Sequence, residues 1–164
     1  MAEVLLSQNQ VAVIDDDQVL KVGRFKWFAQ WYKNTQSFYA GRGVKDSNGK
    51  TSMSLMHREI LGLMPGDKRI VDHINGNTLD NRRSNLRIVS TYQSAQNRRT
   101  YKNNTSGHKG VQPYRDCWRV VIQANGKRYS LGVFSTFESA CSAYQAEAAK
   151  AHGAYARARE VKYV

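Results

Sequence analysis

The chain has 164 residues, 41% of them apolar, with 25 Lys and Arg against 13 Asp and Glu. That length allows one ordinary domain or two small ones, and the net charge of +12 favours a polyanionic partner, because each phosphate neutralised releases condensed counterions. No run of about 18 apolar residues is present to span a membrane, no basic segment leads into a long apolar one at the N-terminus, and the widely separated Cys117 and Cys141 argue against a zinc ribbon or disulfide scaffold, so a reducing, intracellular compartment is expected. The elements then read in order. "EVLLSQNQVAVI" has two short apolar runs around Ser7-Gln8-Asn9-Gln10 and predicts a hairpin. "DDDQVLKVGRF" predicts a short helix capped by an Asp, with Val19, Leu20 and Val22 as its apolar positions. "KWFAQWY", "SFYAGRGV" and "KTSMSLM" read as strands, with Asp46-Ser47-Asn48-Gly49 turning between the second and third. "LMHREILGLMPGD" reads as a helix stopping near Gly62 and Pro65.

Residues 68–100 follow as strand ("RIVDHI"), polar loop ("NGNTLDN"), strand ("LRIV") and helix ("STYQSAQNRR", capped by Ser90 or Thr91). A polar linker covers 101–107. Three further strands, "KGVQPY", "CWRVVIQ" and "KRYSLGVF", precede an Ala-rich helix capped by Ser135 or Thr136, and Asn125-Gly126 marks a hairpin. Ala140, Ala143, Tyr144, Glu147 and Ala148 form one helical stripe whose small residues let it lie close to a sheet. The expected organisation is a β-rich section over 1–67, a second unit over 68–100, a linker, a third unit over 108–157 and a tail over 158–164. The fold class is α+β. Positive charge accumulates along the chain, from +2 over 1–62 to +4 over 63–100 and +6 over 101–164.

The stretch "VDHINGNTLDNRRSNLRIV", residues 71–89, concentrates an Asp-His pair, four asparagines and three arginines between apolar strands. At a strand's end Asp72 and His73 can serve two tasks: the carboxylate is a hard ligand for Mg²⁺, Mn²⁺ or Ca²⁺, and the imidazole can take a proton from water near neutral pH. Together with an amide that holds the ring they could hydrolyse a phosphodiester. As an isolated dipeptide the pair would more simply cap a turn and pack on a strand. Arg82, Arg83 and Arg87 can clamp a phosphate or keep the loop solvated, and His57 is expected to be a structural residue at a helix start.

"VDHINGNTLDNRRSNLR", followed by a short strand and "YQSAQNRR", resembles the HNH homing endonuclease family, and "VAVIDDDQVLKVGRFKWFA", "SFYAGRGV" and "LMHREILG" are similar to the N-terminal part of its phage-type members. The resemblance implies a ββα-metal (His-Me finger) core and cutting or nicking of double-stranded DNA with one Mg²⁺ or Mn²⁺ per site, inside a host cell. It implies Asp72 as metal-binding carboxylate, His73 as general base and Asn85 as the amide orienting loop and base. The last family position, usually Asn or His as second metal ligand, is Ser94 here, with Asn97 and Gln93 as neighbouring substitutes. A Ser hydroxyl is a shorter and weaker donor, so a nickase or a catalytically weakened, DNA-binding relative stays open beside the nuclease.

"KGV", "W-R-V-x-I", "N-G-K-x-x-x-L-G-x-F" and "E-x-A-x-x-A-Y-x-x-A" stand in order between 108 and 157. They resemble the plant ethylene-response-factor (APETALA-type) DNA-binding domain, which implies a three-stranded antiparallel sheet packed on one helix and set into the major groove. Strand alternation puts Trp118, Val120 and Ile122 on the helix side with Tyr129 and Leu131. It puts Arg119, Val121, Gln123, Arg128 and Ser130 outward, and Gln112 and Tyr114 align with base-contacting positions. Arg and Gln can make bidentate contacts to guanine and adenine. RNA binding fits the charge but not a groove-reading sheet. The chain could act as a monomer or a dimer.

Overall fold

The computed structural model describes residues 1–45, 47–96, 104–124 and 126–156. The chain divides into two compact units, Met1–Ser94 and Ala95–Val164.

The first unit opens with the expected hairpin, β1 (Ala2–Leu5) antiparallel to β2 (Val11–Ile14). Gln8 and Asn9 turn it at φ 58° and 53°, a left-handed conformation that Asn tolerates better than most residues. Ser7 Oγ accepts from Ala29 N (3.0 Å) and Gln8 Nε2 donates to Ala29 O (3.0 Å), which fastens the hairpin tip to the next sheet. A 3₁₀ turn, Asp16–Gln18, runs into α1 (Val19–Val22). Two details differ from expectation. Asp15 holds the N-cap position without a side-chain cap bond; its carboxylate accepts from Arg83 N instead (2.8 Å). Of the three apolar positions Val22 alone is buried, while Val19 and Leu20 face solvent, because one turn of helix presents only one side to the core.

β3 (Phe28–Tyr32), β4 (Ser37–Lys45) and β5 (Thr51–Leu55) form an antiparallel sheet with β4 central. α2 (Met56–Ile60) follows directly and ends before Gly62, whose φ of +70° is the left-handed step that terminates helices. β6 (Ile70–His73) pairs antiparallel with β7 (Leu86–Val89), the 3₁₀ turn Arg83–Asn85 leading into the second strand. α3 (Thr91–Gln96) begins in a capping box: Ser90 Oγ accepts from Gln93 N (3.2 Å) and Gln93 Oε1 accepts from Ser90 N (2.8 Å). Ala12, Ile14, Val22, Trp27, Ala40, Met56, Ile60 and Leu86 make one core, so hairpin, sheet, α2 and β7 stabilise one another; a fully buried Ile or Met contributes about 1.5–3 kcal/mol.

The second unit is a sheet of β8 (Val111–Tyr114), β9 (Cys117–Ala124) and β10 (Lys127–Phe134), with β9 central, covered by α4 (Phe137–His152). Thr136 caps α4 by accepting from Ser139 N (3.2 Å). Ala140, Tyr144 and Ala148 of the expected stripe are buried, Ala143 and Glu147 are half-buried, and Cys141 and His152 join the covered side. Gly110 has φ +75°, and a Cβ there would lie 2.1 Å from the Tyr144 ring and 2.5 Å from Val121 O, so neither backbone nor space admits a side chain. A bulge at Leu131 lies between the pairs Ser130–Val121 and Gly132–Val120; beyond it Val133 shares the outer face with Arg119, its partner on β9, and is 50% exposed. Tyr129 is on the helix side opposite Ile122, two residues from the start of β10, yet 45% exposed. No helix among the described residues is long and apolar enough to cross a membrane.

Candidate active site

The asparagine-rich loop is held by its own amides. Asn85 Oδ1 accepts from Asn75 N (2.9 Å) while Asn85 Nδ2 donates to Asp80 O (2.8 Å), so one buried carboxamide bridges both arms of the loop. Asn75 Oδ1 and Asn77 Oδ1 each accept from the backbone two residues on (2.8 and 3.1 Å), the local turn that Asn favours. Asp80, 4% exposed, accepts from Asn75 Nδ2 (2.9 Å) and from Arg82 (2.6 Å); Arg82 above all holds its carboxyl below the usual carboxylate range. The loop also extends the first hairpin: Val13 N donates to Leu79 O (2.8 Å) and Asn81 N to Val13 O (2.7 Å). Replacing Asn85 with alanine removes both bridging bonds. Urea unfolding should show a loss of about 1–3 kcal/mol, the cost of buried polar groups left unsatisfied.

His73 lies opposite Leu86 at the end of β6 and is 5% exposed. Its Nε2 is 3.4 Å from Asn81 Oδ1. Its ring meets the His57 ring edge-on (centroids 5.1 Å apart) and the Tyr39 ring (6.1 Å), and Tyr39 also contacts His57 (5.6 Å). Burial lowers the His73 pKa below its ordinary value, opposed by Asn81, Asp72 and Asp80, and the ring is neutral at pH 7. Burial, then the neighbouring His73 and Arg58, push His57 down to about 3. His57 is therefore not only a helix-start residue: α2 carries it beside the candidate base. Asn81, 1% exposed, was not distinguishable by type from the loop's three other asparagines, Asn75, Asn77 and Asn85, because its importance lies in burial against His73.

Asp72 points to the other face of the β6–β7 ribbon, opposite Arg87. Arg87 donates to Asp72 Oδ2 from Nη2 (2.7 Å) and Nε (3.0 Å). The other two loop arginines are also paired with carboxylates, Arg82 with Asp80 (2.6 Å) and Arg83 with Asp17 (2.5 Å). Ser94 is half-buried on α3. Gln93, a substitute donor by sequence, uses its Oε1 in the capping box. Asn97, Arg98 and Arg99 lie outside the described residues. Among the described residues no three His, Cys, Asp or Glu side chains cluster to hold a metal ion.

In the second unit the outward residues share one face by register: Gln112 opposite Arg119, Tyr114 opposite Cys117, Arg128 opposite Gln123 and Ser130 opposite Val121. The Arg119 guanidinium stacks 3.8 Å from the Tyr114 ring centroid, and Arg115, at φ +52° in the β8–β9 turn, lies 5.7 Å from the same ring. Arg115 was absent from the sequence expectations, since a turn residue has no strand alternation to reveal its face.

Residues 55–96 match the HNH endonuclease family, a span that takes in α2 with His57, the β6–β7 hairpin and α3. This defines the first unit as the carrier of an HNH endonuclease domain. The chain is 34% identical over 91 residues to Protein 3.8 of Escherichia phage T7, covering 54% of this chain and 74% of that protein, and it belongs to the family of that protein. No solved structure matches the chain.

Proposed function

We propose that this chain is a metal-dependent HNH endonuclease of homing type that nicks or cleaves double-stranded DNA, with a ββα-metal core over 68–100 and a DNA-reading sheet over 108–157. The observation that carries the reading is His73: a buried, neutral imidazole on the HNH hairpin, held by Asn81 and flanked in sequence by a carboxylate. His73 takes the proton from a water that attacks phosphorus. Asn85 keeps the loop, and with it the ring, in place. Asp72 is the residue to hold a Mg²⁺ or Mn²⁺ ion, with Ser94 or Asn97 and water completing the shell; when bound, such an ion stabilises negative charge on the leaving 3′ oxygen. Arg87, ion-paired with Asp72, would be available to a phosphate once that carboxylate holds the ion. One such site per chain nicks one strand, and a double-strand break takes two chains or two visits.

The outer face of the second unit, with Gln112, Tyr114, Arg119, Gln123, Arg128 and Ser130, is the surface for the major groove. Its support is the shared register face and the sequence pattern of the ethylene-response-factor type. Arg119→Ala and Arg128→Ala should each weaken duplex binding by about 1–3 kcal/mol if they read bases. Where they meet phosphate, each should lower the salt slope by about one. Fluorescence anisotropy over a salt series measures both, and unchanged binding in the double variant would remove this face from the DNA-binding surface.

A second reading, a DNA-binding relative without nuclease activity, is favoured by one observation: Asp72 is already neutralised by Arg87 and no carboxylate cluster accompanies it among the described residues. Relaxation of supercoiled plasmid with Mg²⁺ or Mn²⁺, and its loss with EDTA, separates the readings. Duplex binding without metal-dependent nicking would establish the second.

A further inference from the structure

We infer that Tyr114, Arg115 and Arg119 form a clamp for the sugar-phosphate backbone at the β8–β9 turn of the second unit, so that Arg119 meets phosphate and not a base edge. The inference rests on the outer face of that unit binding duplex DNA. It adds Arg115 to the surface and states which chemical group of the nucleic acid is held there.

The clamp follows from the register. Tyr114 and Cys117 are paired across the turn, which leaves Arg115 and Asp116 as its two residues. Arg119 is opposite Gln112, the next pair on the same face. It is therefore a diagonal neighbour of Tyr114, within reach of a long side chain. Its guanidinium carbon lies 3.8 Å from the Tyr114 ring centroid, and that of Arg115 lies 5.7 Å from it. Both distances are inside the range in which an aromatic ring attracts a cation. Arg119 is half-buried, and a guanidinium stacked on a ring keeps its N–H groups free for an oxyanion. Tyr114 is thus a positioning residue that acts through Arg119.

The backbone at Arg115 points the same way. Its φ of +52° lies in a region that glycine enters freely and other residues seldom do. The other non-glycine residues with positive φ among the described residues are Gln8, Asn9 and Gln36, all with neutral amide side chains. Glycine at the first position of a two-residue hairpin turn would suit the conformation better, so this arginine stands against the preference of the backbone.

Electrostatics selects the ligand. Two guanidinium groups drawn to one ring repel each other. Among the described residues neither forms an ion pair, and the exposed Asp116 pairs with neither, whereas Arg82, Arg83 and Arg87 of the first unit each hold a carboxylate. An anion beside the pair removes the repulsion. On a DNA duplex that anion is the phosphodiester, since base edges carry no net charge. Arg128, opposite the neutral Gln123, lies outside the clamp.

The test measures duplex binding of the full chain by fluorescence anisotropy in EDTA, over a salt series, on several unrelated sequences of equal length. Arg115→Gly accepts the left-handed φ without a steric penalty and leaves the turn intact, while Arg119→Gln removes charge and keeps most of the side chain. Each should lower the slope of log affinity against log salt by about one, and each should weaken binding by the same factor on every sequence. Tyr114→Phe, which keeps the ring, should bind as the wild type does. Tyr114→Leu, which releases Arg119, should weaken binding on every sequence and have little further effect when combined with Arg119→Gln. Wild-type salt slopes in both arginine variants overturn the inference. So does a loss confined to one sequence, which makes Arg119 a base reader, and so do additive losses for Tyr114→Leu and Arg119→Gln. The DNA-binding reading fails separately and before any substitution: a wild-type chain that binds duplex RNA but no duplex DNA, or neither, refutes that reading and the clamp with it.

Discussion

His73→Ala will reduce metal-dependent nicking of supercoiled DNA by about 10²–10⁴-fold, the usual share of a positioned general base, and will leave duplex affinity unchanged. The two effects separate because a buried, neutral ring (5% exposed) offers no charge to phosphates. The truncation opens a space between Tyr39, His57 and Asn81, so a fall in activity could reflect a loosened fold. His73→Gln keeps most of the volume and controls for that, and it should be as inactive as the alanine variant. Added imidazole can occupy the space in His73→Ala and should restore part of the nicking with no effect on His73→Gln. Undiminished nicking in either variant would remove His73 from the reaction. Relaxation that persists in EDTA would remove the metal.

The fold was legible where periodicity and turn chemistry agree. Ser7-Gln8-Asn9-Gln10 between two apolar runs gave the first hairpin, and the alternation in "CWRVVIQ" put Val120 and Ile122 in the core and Gln123 outside. Short elements were less legible: at α1 one turn of helix hides Val22 and leaves Leu20 82% exposed, which no pattern of four residues determines. The site was legible as a segment, not as a set of contacts. The Asp-His pair stands out by type, and Asn85 through its match to the middle asparagine of the family pattern. His57 and Tyr39 come from α2 and β4, brought beside His73 by tertiary packing that sequence distance conceals. The pairing of Asp72 with Arg87 was latent in the strand register, since the two residues are direct neighbours across β6 and β7. Reading it required the loop length between the strands to be known to the residue.

Acidification from pH 7 to about 4.5 will destabilise the first unit, and His57→Phe will flatten much of that loss. The sign follows from linkage. His57 has an ordinary pKa of 6.5 when unfolded and about 3 when folded, so between those values the unfolded chain binds a proton that the folded chain does not. The associated stability is fully present above pH 6.5 and is lost progressively as pH falls towards 3. At about 1.4 kcal/mol per unit the full loss is a few kcal/mol in order of magnitude, large against the roughly 5–15 kcal/mol of a typical domain. His73, also lowered by burial, adds to the loss in both proteins. Asp80 adds its own only at lower pH: its depressed carboxyl contributes stability above about pH 4 that disappears as pH falls further. Urea midpoints at pH 7, 6, 5 and 4.5 therefore isolate the histidines. Phenylalanine fits the site because the His57 ring already packs edge-on with His73 and tilted against Tyr39. Parallel curves for the two proteins would show that His57 titrates normally. A shallower curve for the variant would tie the acid sensitivity of the first unit to the burial of His57 in the cluster it shares with His73 and Tyr39.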